Sequence, residues 1–492
     1  MPLAPLFSAS RNLAAIFLRH CSTATTNRRN LYSRISPLGD PSVSVVPILD
    51  EWIQEGNAVS GPHLQRIIKT LRTRKRLTQA LQVSEWMSGK GLCPISPGDQ
   101  AVQLDLIGRV RGVESAERYF LSLSDGDKTW KVHGALLNCY VREGLVDKSL
   151  SQMQKMKDMG LVSFLNYNNI MCLYTQTQQL EKVPLVLAQM KEDGVPPNIF
   201  SYRICINSYG TRGDLANVEK LLEEMEREPH IGTDWITYSM VAKFYIKEGM
   251  KEKALVCLKR CEEKADKRDA LAYNHLISLY AGLGSKGAMM RVWKLQKANC
   301  KKQLNREYIT MLGCLVKVGE LDQAEEVLGE WELSGNTCDF RVPNILLIGY
   351  SQRGLVEKAE VLLRSMVAKG KMPTPTPNSW SIIASGYVAK ENMEKAFQCM
   401  KEAVAVQAQN KRWRPKVDVI SNIFSWVTNN RDIEEVEDFV NSLKTLSSIN
   451  RDMYLSLIKM YVRCGKDVGG ILERMKADNI ELDEEIEETL NS

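Results

Sequence analysis

Five histidines, twelve cysteines and a few paired acids are the residues that could carry chemistry in this chain of 492 residues. The histidines are His20, His63, His133, His230 and His275, and no two have the spacing that sets both imidazoles of a His-Glu-x-x-His motif on one helix face. Cys257 and Cys261 have no second cysteine or histidine pair close in sequence to complete a tetrahedral zinc site. The other cysteines stand alone in apolar stretches, as in Asn138-Cys139-Tyr140 and Met171-Cys172-Leu173, too sparse for a disulfide scaffold. They read as buried free thiols in a reducing compartment. Glu223-Glu224 and Glu434-Glu435 fall within helical patterns and read as solvated faces. A Gly-rich phosphate loop, a Gly-x-Ser-x-Gly elbow and the His-x-Glu with Cys-x-x-Cys set of a deaminase are all absent from the sequence. These residues predict a protein that is not an enzyme and uses neither metal nor cofactor.

Charge is the other resource. Lysine and arginine number 65 against 59 acids, a net +6. That excess is too small for a polyelectrolyte binder but allows a weakly basic nucleic-acid surface. Basic residues cluster at Arg72, Arg74, Lys75 and Arg76, at Lys264, Lys267 and Arg268, and at Lys411, Arg412 and Arg414 around Trp413. The first cluster sits at a turn and reads as structural. A cation beside an exposed indole, as at Trp413, can stack on a base or dock on a partner.

The elements that must position these residues repeat. A tyrosine followed four residues later by glycine occurs at Tyr140/Gly144, Tyr209/Gly213, Tyr245/Gly249, Tyr280/Gly284, Tyr350/Gly354 and Tyr461/Gly465. Gly319 has Leu315 in the tyrosine place, and Tyr174 and Tyr387 keep the aromatic without the glycine. The period is about 35 residues, the mark of a stacked repeat architecture. Each unit reads as a helix with an aromatic and apolar stripe (Tyr202, Cys205, Ile206, Tyr209), a glycine turn, and a second helix with its own stripe (Leu215, Val218, Leu221, Leu222, Met225). A hairpin with two apolar faces cannot bury both alone, so the hairpins must stack. The predicted fold is therefore all-α, a right-handed α-solenoid of helix-turn-helix units beginning near 61, 97, 130, 164, 199, 235, 270, 305, 340, 377, 417 and 451. The first two units are degenerate, and an insert lies around Gln407 to Pro415.

The unit resembles the pentatricopeptide repeat. The resemblance lies in Phe164-Leu-Asn-Tyr-Asn-Asn-Ile-Met171, closing with Met190, Gly194 and Pro197-Asn198. It lies also in Trp235-Ile-Thr-Tyr-Ser-Met-Val-Ala242 with Tyr245, Gly249 and Ala254, and in Ala270-Leu-Ala-Tyr-Asn-His-Leu-Ile277 with Tyr280 and Gly284. A Trp-Leu-Gly-Tyr run of the tetratricopeptide kind is absent. The chain looks like a plant organellar member of the P subclass. That resemblance implies binding of single-stranded RNA, with the fifth and last residues of a unit reading a base and the second wedging between bases. Carried across, the reading places are Asn168 with Asn198, Arg203 with Asp234, Ser239 with Asp269, Asn274 with Leu304, Ile309 with Asp339, Asn344 with Thr376, Ser381 with Lys416, and Ser421 with Asn450. The wedge places are Leu165, Phe200, Ile236 and Leu271. Asn168 with Asn198 fits the family's pyrimidine-preferring pattern. Arg203 departs from the pattern, suited instead to a phosphate or to Asp234. Leu304 and Ile309 cannot hydrogen-bond a base, and Arg306, Arg341, Asn378 and Asp418 make later wedge places polar.

Residues 1–40 carry Arg11, Arg19, Arg28, Arg29 and Arg34 among many hydroxyls, with no acid before Asp40. This is the pattern of a mitochondrial transit peptide, with a chloroplast leader as the alternative. Residues 41–60 read as a capping helix, 61–485 as about twelve repeats and 486–492 as an acidic tail. No apolar run is long enough to cross a membrane. The expected partner is a mitochondrial transcript or ribosomal RNA, with mitoribosomal proteins as further partners, and neither a membrane nor a small-molecule substrate. The three functional expectations are a post-transcriptional RNA-binding factor, a structural component of the mitochondrial ribosome, and a protein-interaction scaffold without RNA.

Overall fold

The structure, a computed structural model, describes residues 30–91, 93–228, 231–368, 375–407, 413–444 and 449–490. Among the described residues every regular element is helical, with 27 α-helices and a short 3-10 turn at Leu180–Lys182. The chain forms two compact units, Met1–Thr233 and Asp234–Ser492. In the first, the leading helices of the hairpins begin at Gly61, Pro97, Trp130, Phe164 and Ile199. In the second they begin at Trp235, Ala270, Asn305, Arg341, Pro377, Val417 and Arg451. All lie within a residue of the register given by the glycine period.

Each leading helix packs on its own second helix and, from Pro97 onward in the first unit and from Trp235 onward in the second, on the leading helix of the next hairpin of that unit. Thus Pro97–Arg111 lies against Trp130–Arg142, and that helix against Phe164–Gln176. The same succession runs from Trp235–Lys247 through Arg451–Arg463. This is the one-dimensional packing of a solenoid, in which each hairpin is completed by its neighbours. The stripes supply the core: Tyr202, Cys205 and Ile206 on one helix and Val218, Leu221, Leu222 and Met225 on the next are buried. The cysteines Cys139, Cys205, Cys257, Cys261, Cys314 and Cys399 are buried free thiols.

Asn198, Asp234, Asp269, Thr376 and Asn450 each accept a hydrogen bond from a backbone amide in the first turn of the helix they precede. Such caps supply partners for the amides that a helix start leaves open. The turns within hairpins take the left-handed conformation, at Gly144, Gly213, Gly249, Gly284, Gly319, Gly354 and Gly465. Three hairpins make the same turn without glycine, at Lys75 (φ 59°), Gln178 (φ 60°) and Glu391 (φ 60°). The tyrosine period at Tyr174 and Tyr387 therefore marks the same turn even where glycine is missing. An L-residue in that region carries a cost of about 1 kcal/mol. Gln178→Gly and Glu391→Gly are each expected to stabilise the protein by about 0.5–1 kcal/mol, seen as a higher midpoint in denaturant. An unchanged or lower midpoint would contradict the argument.

Successive second helices are tied by ion pairs one period apart: Lys157 to Asp193 at 2.6 Å, Lys191 to Glu224 at 2.5 Å, Lys297 to Glu330 at 2.9 Å and Lys401 to Glu435 at 3.0 Å. Tyrosines of leading helices donate to acids of second helices, as Tyr202 to Glu224 (2.7 Å), Tyr280 to Glu262 (2.5 Å) and Tyr387 to Glu360 (2.6 Å). Burial, reinforced by the acid partner, pushes these three phenols up. Burial also works to raise the three carboxyls, but the bonds from Lys191, Arg291, Arg364 and the tyrosines outweigh it and hold them below the usual range. The depressed carboxyls stabilise the fold above their unfolded value of about 4.3, and that contribution is lost as pH falls below it. The raised phenols stabilise it below about pH 10, and that contribution is lost as pH climbs past it. Thermal melts should accordingly show a plateau with declines on both sides; a midpoint still rising above pH 10 would contradict these signs.

The ends differ from expectation. Of the segment assigned to a leader, residues 1–29 lie outside the described residues, but 30–40 are packed. Leu31 and Ile35 are fully buried, and Arg76 donates to the carbonyls of Ile35, Ser36 and Leu38. The folded chain thus begins by residue 30, not after 40, because Arg76 and Gln79 satisfy backbone carbonyls there. The capping helix is Val46–Gln54, held by Trp86 Nε1 donating to Asp50 at 2.9 Å. At the other end, the acidic stretch is a helix, Glu484–Leu490, not a tail: Ile486 is fully buried and Arg451 reaches Glu485 at 2.7 Å.

Candidate nucleic-acid interface

In the first compact unit an open cavity of about 450 Å³ lies between residues 72 and 169, and its walls include Gly98, Ala101, Lys131 and Gly134, the second and fifth places of the units starting at 97 and 130, and Leu165, the second place of the unit starting at 164.

Four second places carry apolar side chains that stay partly exposed: Leu165 is 51% exposed, Phe200 49%, Ile236 37% and Leu271 44%. Each sits in the first turn of its helix, one residue past the start.

The fifth places are different. Asn168, Ser239, Asn274, Asn344 and Ser381 are buried, while Arg203, Ile309 and Ser421 are half-buried. Several are occupied by the next hairpin. Ser201 Oγ donates to Asn168 Oδ1 at 2.7 Å, and Asn168 Nδ2 reaches Asn198 Oδ1 at 3.4 Å. Asn274 Nδ2 donates to Glu307 at 3.3 Å and its Oδ1 accepts from Gln296 at 3.1 Å. Asn450 Nδ2 donates to Ser421 Oγ at 3.3 Å, and Ser239 Oγ bonds the carbonyl of Ile236 at 2.9 Å. Asn344 Oδ1 is buried without a hydrogen-bond partner, an open acceptor.

The last places serve as caps. Asn198 accepts from Ser201 N at 2.9 Å, Asp234 from Thr237 N at 3.0 Å, Asp269 from Leu271 N at 2.9 Å and Asn450 from Met453 N at 3.0 Å. Asp339 is held by Arg341, which keeps its carboxyl below the usual range. Leu304 is exposed, and its backbone amide donates to Glu307 at 2.8 Å. The structure therefore brings together Asn168 with Asn198 and Ser421 with Asn450. Arg203 and Asp234 fall in different compact units.

The third place of each unit is what the sequence reasoning missed. Asp99, Ser201 and Glu307 hold the start of their own helix and at the same time bond the fifth residue of the preceding unit, Gln65, Asn168 and Asn274. The signal was a polar residue three beyond the cap, the capping-box spacing.

Charge on this face was missed as well. Asp105 is buried and is shared by three guanidiniums: Arg72 at 2.9 Å, Arg109 at 2.9 Å and Arg142 at 3.2 Å. Of the basic cluster at residues 72–76, Arg72 reaches this site, while Arg74 lies over the Tyr32 ring and Arg76 binds carbonyls. Trp130 is half-exposed with Lys131 Nζ 5.5 Å from its ring centroid. Lys411 and Arg412 lie outside the described residues. Among the described residues no group of histidine, cysteine and acid side chains could hold a metal ion, and no helix is long and apolar enough to cross a membrane.

Comparison with known proteins gives this geometry a family. Models of the pentatricopeptide repeat match residues 132–161, 164–211, 200–230, 308–336, 342–370 and 379–405. A mitochondrial pentatricopeptide repeat-containing protein of Arabidopsis thaliana is 48% identical over 469 residues, 95% of each chain. The large ribosomal subunit protein mL101 of the same plant is 32% identical over 465 residues, 94% of each chain. Among solved structures, the pentatricopeptide repeat protein PPR10 in complex with an 18-nt RNA element aligns over 98% of this chain and 84% of that one, with 15% identity and a TM-score of 0.43. With hairpins of one period, matches to the repeat models and a relative nearly half identical along its length, this chain belongs to the pentatricopeptide repeat family.

Proposed function

We propose that the protein binds single-stranded RNA along its leading-helix layer and acts on organellar transcripts without catalysis, by holding a strand. The observation that carries this reading is the pairing of an exposed apolar side chain at the second place with polar groups at the fifth and last places of the same units, at Leu165, Phe200 and Ile236, while the unit of Leu271 keeps only the polar fifth place, Asn274. A base stacked on an apolar side chain while its edge meets an amide is the recurrent way proteins hold unpaired RNA. Membership of the pentatricopeptide repeat family supports this reading, and the mitochondrial name of the Arabidopsis relative supports a mitochondrial address. So does the acid-free, arginine-rich start of the sequence.

Asn168 and Asn198 are the pair best placed to read a base. Asn198 is also a helix cap, so alanine there would confound binding with a stability loss of about 1 kcal/mol. The double variant Asn168→Ala, Asn198→Ser keeps a capping hydroxyl. It should lower affinity for a cognate oligonucleotide about tenfold and relax discrimination at one base, read by fluorescence anisotropy against a panel of single-base changes. Sequencing of RNA that co-purifies with the tagged protein supplies the cognate. Unchanged binding across the panel would end the base-reading proposal.

A second reading is a structural component of the mitochondrial large ribosomal subunit. The mL101 relative favours it, as do the polar wedge places Arg306, Arg341, Asn378 and Asp418 and the non-pairing Leu304 and Ile309. Persistence on ribosomal subunits through high-salt sedimentation would favour this reading over the first.

A further inference from the structure

We infer that the outer faces of helices Lys286–Asn299 and Leu321–Leu333 form an interface with a second copy of this chain, each helix lying on the other's counterpart across a twofold axis. The surface belongs to the layer of second helices and is independent of RNA binding on the leading-helix layer.

Charge is the first support. Helix Lys286–Asn299 carries four cations and no acid, whereas Leu321–Leu333 carries five acids and no cation. The second helices on either side, Lys251–Lys264 and Val356–Ala368, hold both signs. Pairing inside the molecule absorbs part of this contrast: Lys286 reaches Glu320 at 2.8 Å, Arg291 reaches Glu262 at 2.6 Å and Lys297 reaches Glu330 at 2.9 Å. Lys294 and Glu326 are left over, exposed and without an ion pair among the described residues. A nucleic acid suits the first helix and is repelled by the second beside it. A copy of Lys286–Asn299 lying on itself sets Lys294 against Lys294. A half-turn about an axis that runs between the two helices and along them keeps their direction and lays each on the other's counterpart, so unlike faces meet twice.

Shape is the second support. The two helices start one repeat period apart, so like positions stand at like heights. Gly287, Met290, Arg291, Lys294, Leu295 and Ala298 of the first line an open cavity of about 500 Å³. The second presents Glu326, Gly329 and Leu333 on its exposed side. Leu333 is 84% exposed, the highest value for a large apolar side chain among the described residues. The twofold arrangement brings Leu333 of the second copy to Ala298, a small side chain beside Leu295, and Glu326 of the second copy to within a turn of Lys294. Nothing stands over Gly287 or Gly329, so the facing backbones have room to approach. Apolar contact there supplies affinity, and the charges set the register.

The test is sedimentation velocity of the full chain at micromolar concentration after nuclease treatment, with thermal melts as the control for folding. The unaltered protein is expected to sediment as a dimer that weakens as salt rises. Lys294→Glu and Glu326→Lys break no internal ion pair, so each should keep the parent melting midpoint. Each is expected to raise the dimer dissociation constant about a hundredfold, because the like-charge contact is made twice. An equimolar mixture of the two variants should restore the dimer, since opposite charges meet again at both contacts. An unaltered protein that stays monomeric would overturn the interface. Variants that dimerise as the parent does would overturn it too, by placing the contact elsewhere. A mixture that stays monomeric would overturn the twofold pairing and point to a different partner for this face.

Discussion

Replacing Leu165 and Phe200 together by serine is expected to lower affinity for single-stranded RNA about a hundredfold or more. On the proposed reading each side chain gives a base a surface to stack on, worth roughly 1–3 kcal/mol per base. Both are about half-exposed, so the substitutions remove little packing. Thermal stability should stay near the parent value, which separates lost contact from lost fold. The change should appear mainly as faster dissociation, since charge steering is untouched. Equal affinity in parent and variant, measured by anisotropy at fixed salt, would show that the exposed row plays no part in holding RNA.

Trp293→Ala is the stability experiment with the largest expected effect, about 3–5 kcal/mol. The indole is nearly fully buried in the second helix of one hairpin and meets Tyr308 of the next edge-to-face, with ring centroids 5.6 Å apart. It therefore fills a hairpin and joins it to its neighbour. In a stacked array such a loss falls on the nearest interfaces. Hydrogen exchange should quicken in residues 270–318 well before residues 61–158 are affected. The indole Nε1 is buried without an acceptor, so Trp293→Phe discards an unsatisfied donor and should cost much less than alanine. A uniform rise in exchange along the whole chain would contradict nearest-neighbour packing.

The fold was legible because its signal is redundant. A glycine or an aromatic recurring every 35 residues fixes a register many times over, and a single degenerate unit does not disturb it. That is why the hairpins at 61 and 97 keep their places although their sequences resemble the repeat least. The three non-glycine turns were legible only by counting, since Gln178 and Glu391 give no composition cue for a left-handed backbone. The site was harder to see. Asn168 reads from sequence as a free amide, yet its neighbour in space is Ser201, 33 positions on in the first turn of the next leading helix. The Asp105 cluster was hidden for the same reason. Arg72, Asp105 and Arg142 are unremarkable charges until they are laid one period apart, when a buried carboxylate with three claimants emerges. The cluster at 72–76 looked like one feature and divides into a cavity wall, a ring contact and a carbonyl clamp.

The Asn168–Ser201 bond has a consequence for how the protein is used. A base that took over the acceptor site Ser201 now fills on Asn168 would slacken the seam between two hairpins as it docked. Occupancy and stretch would then be one variable, and a strand would be judged by the rise per nucleotide it imposes as well as by its letters.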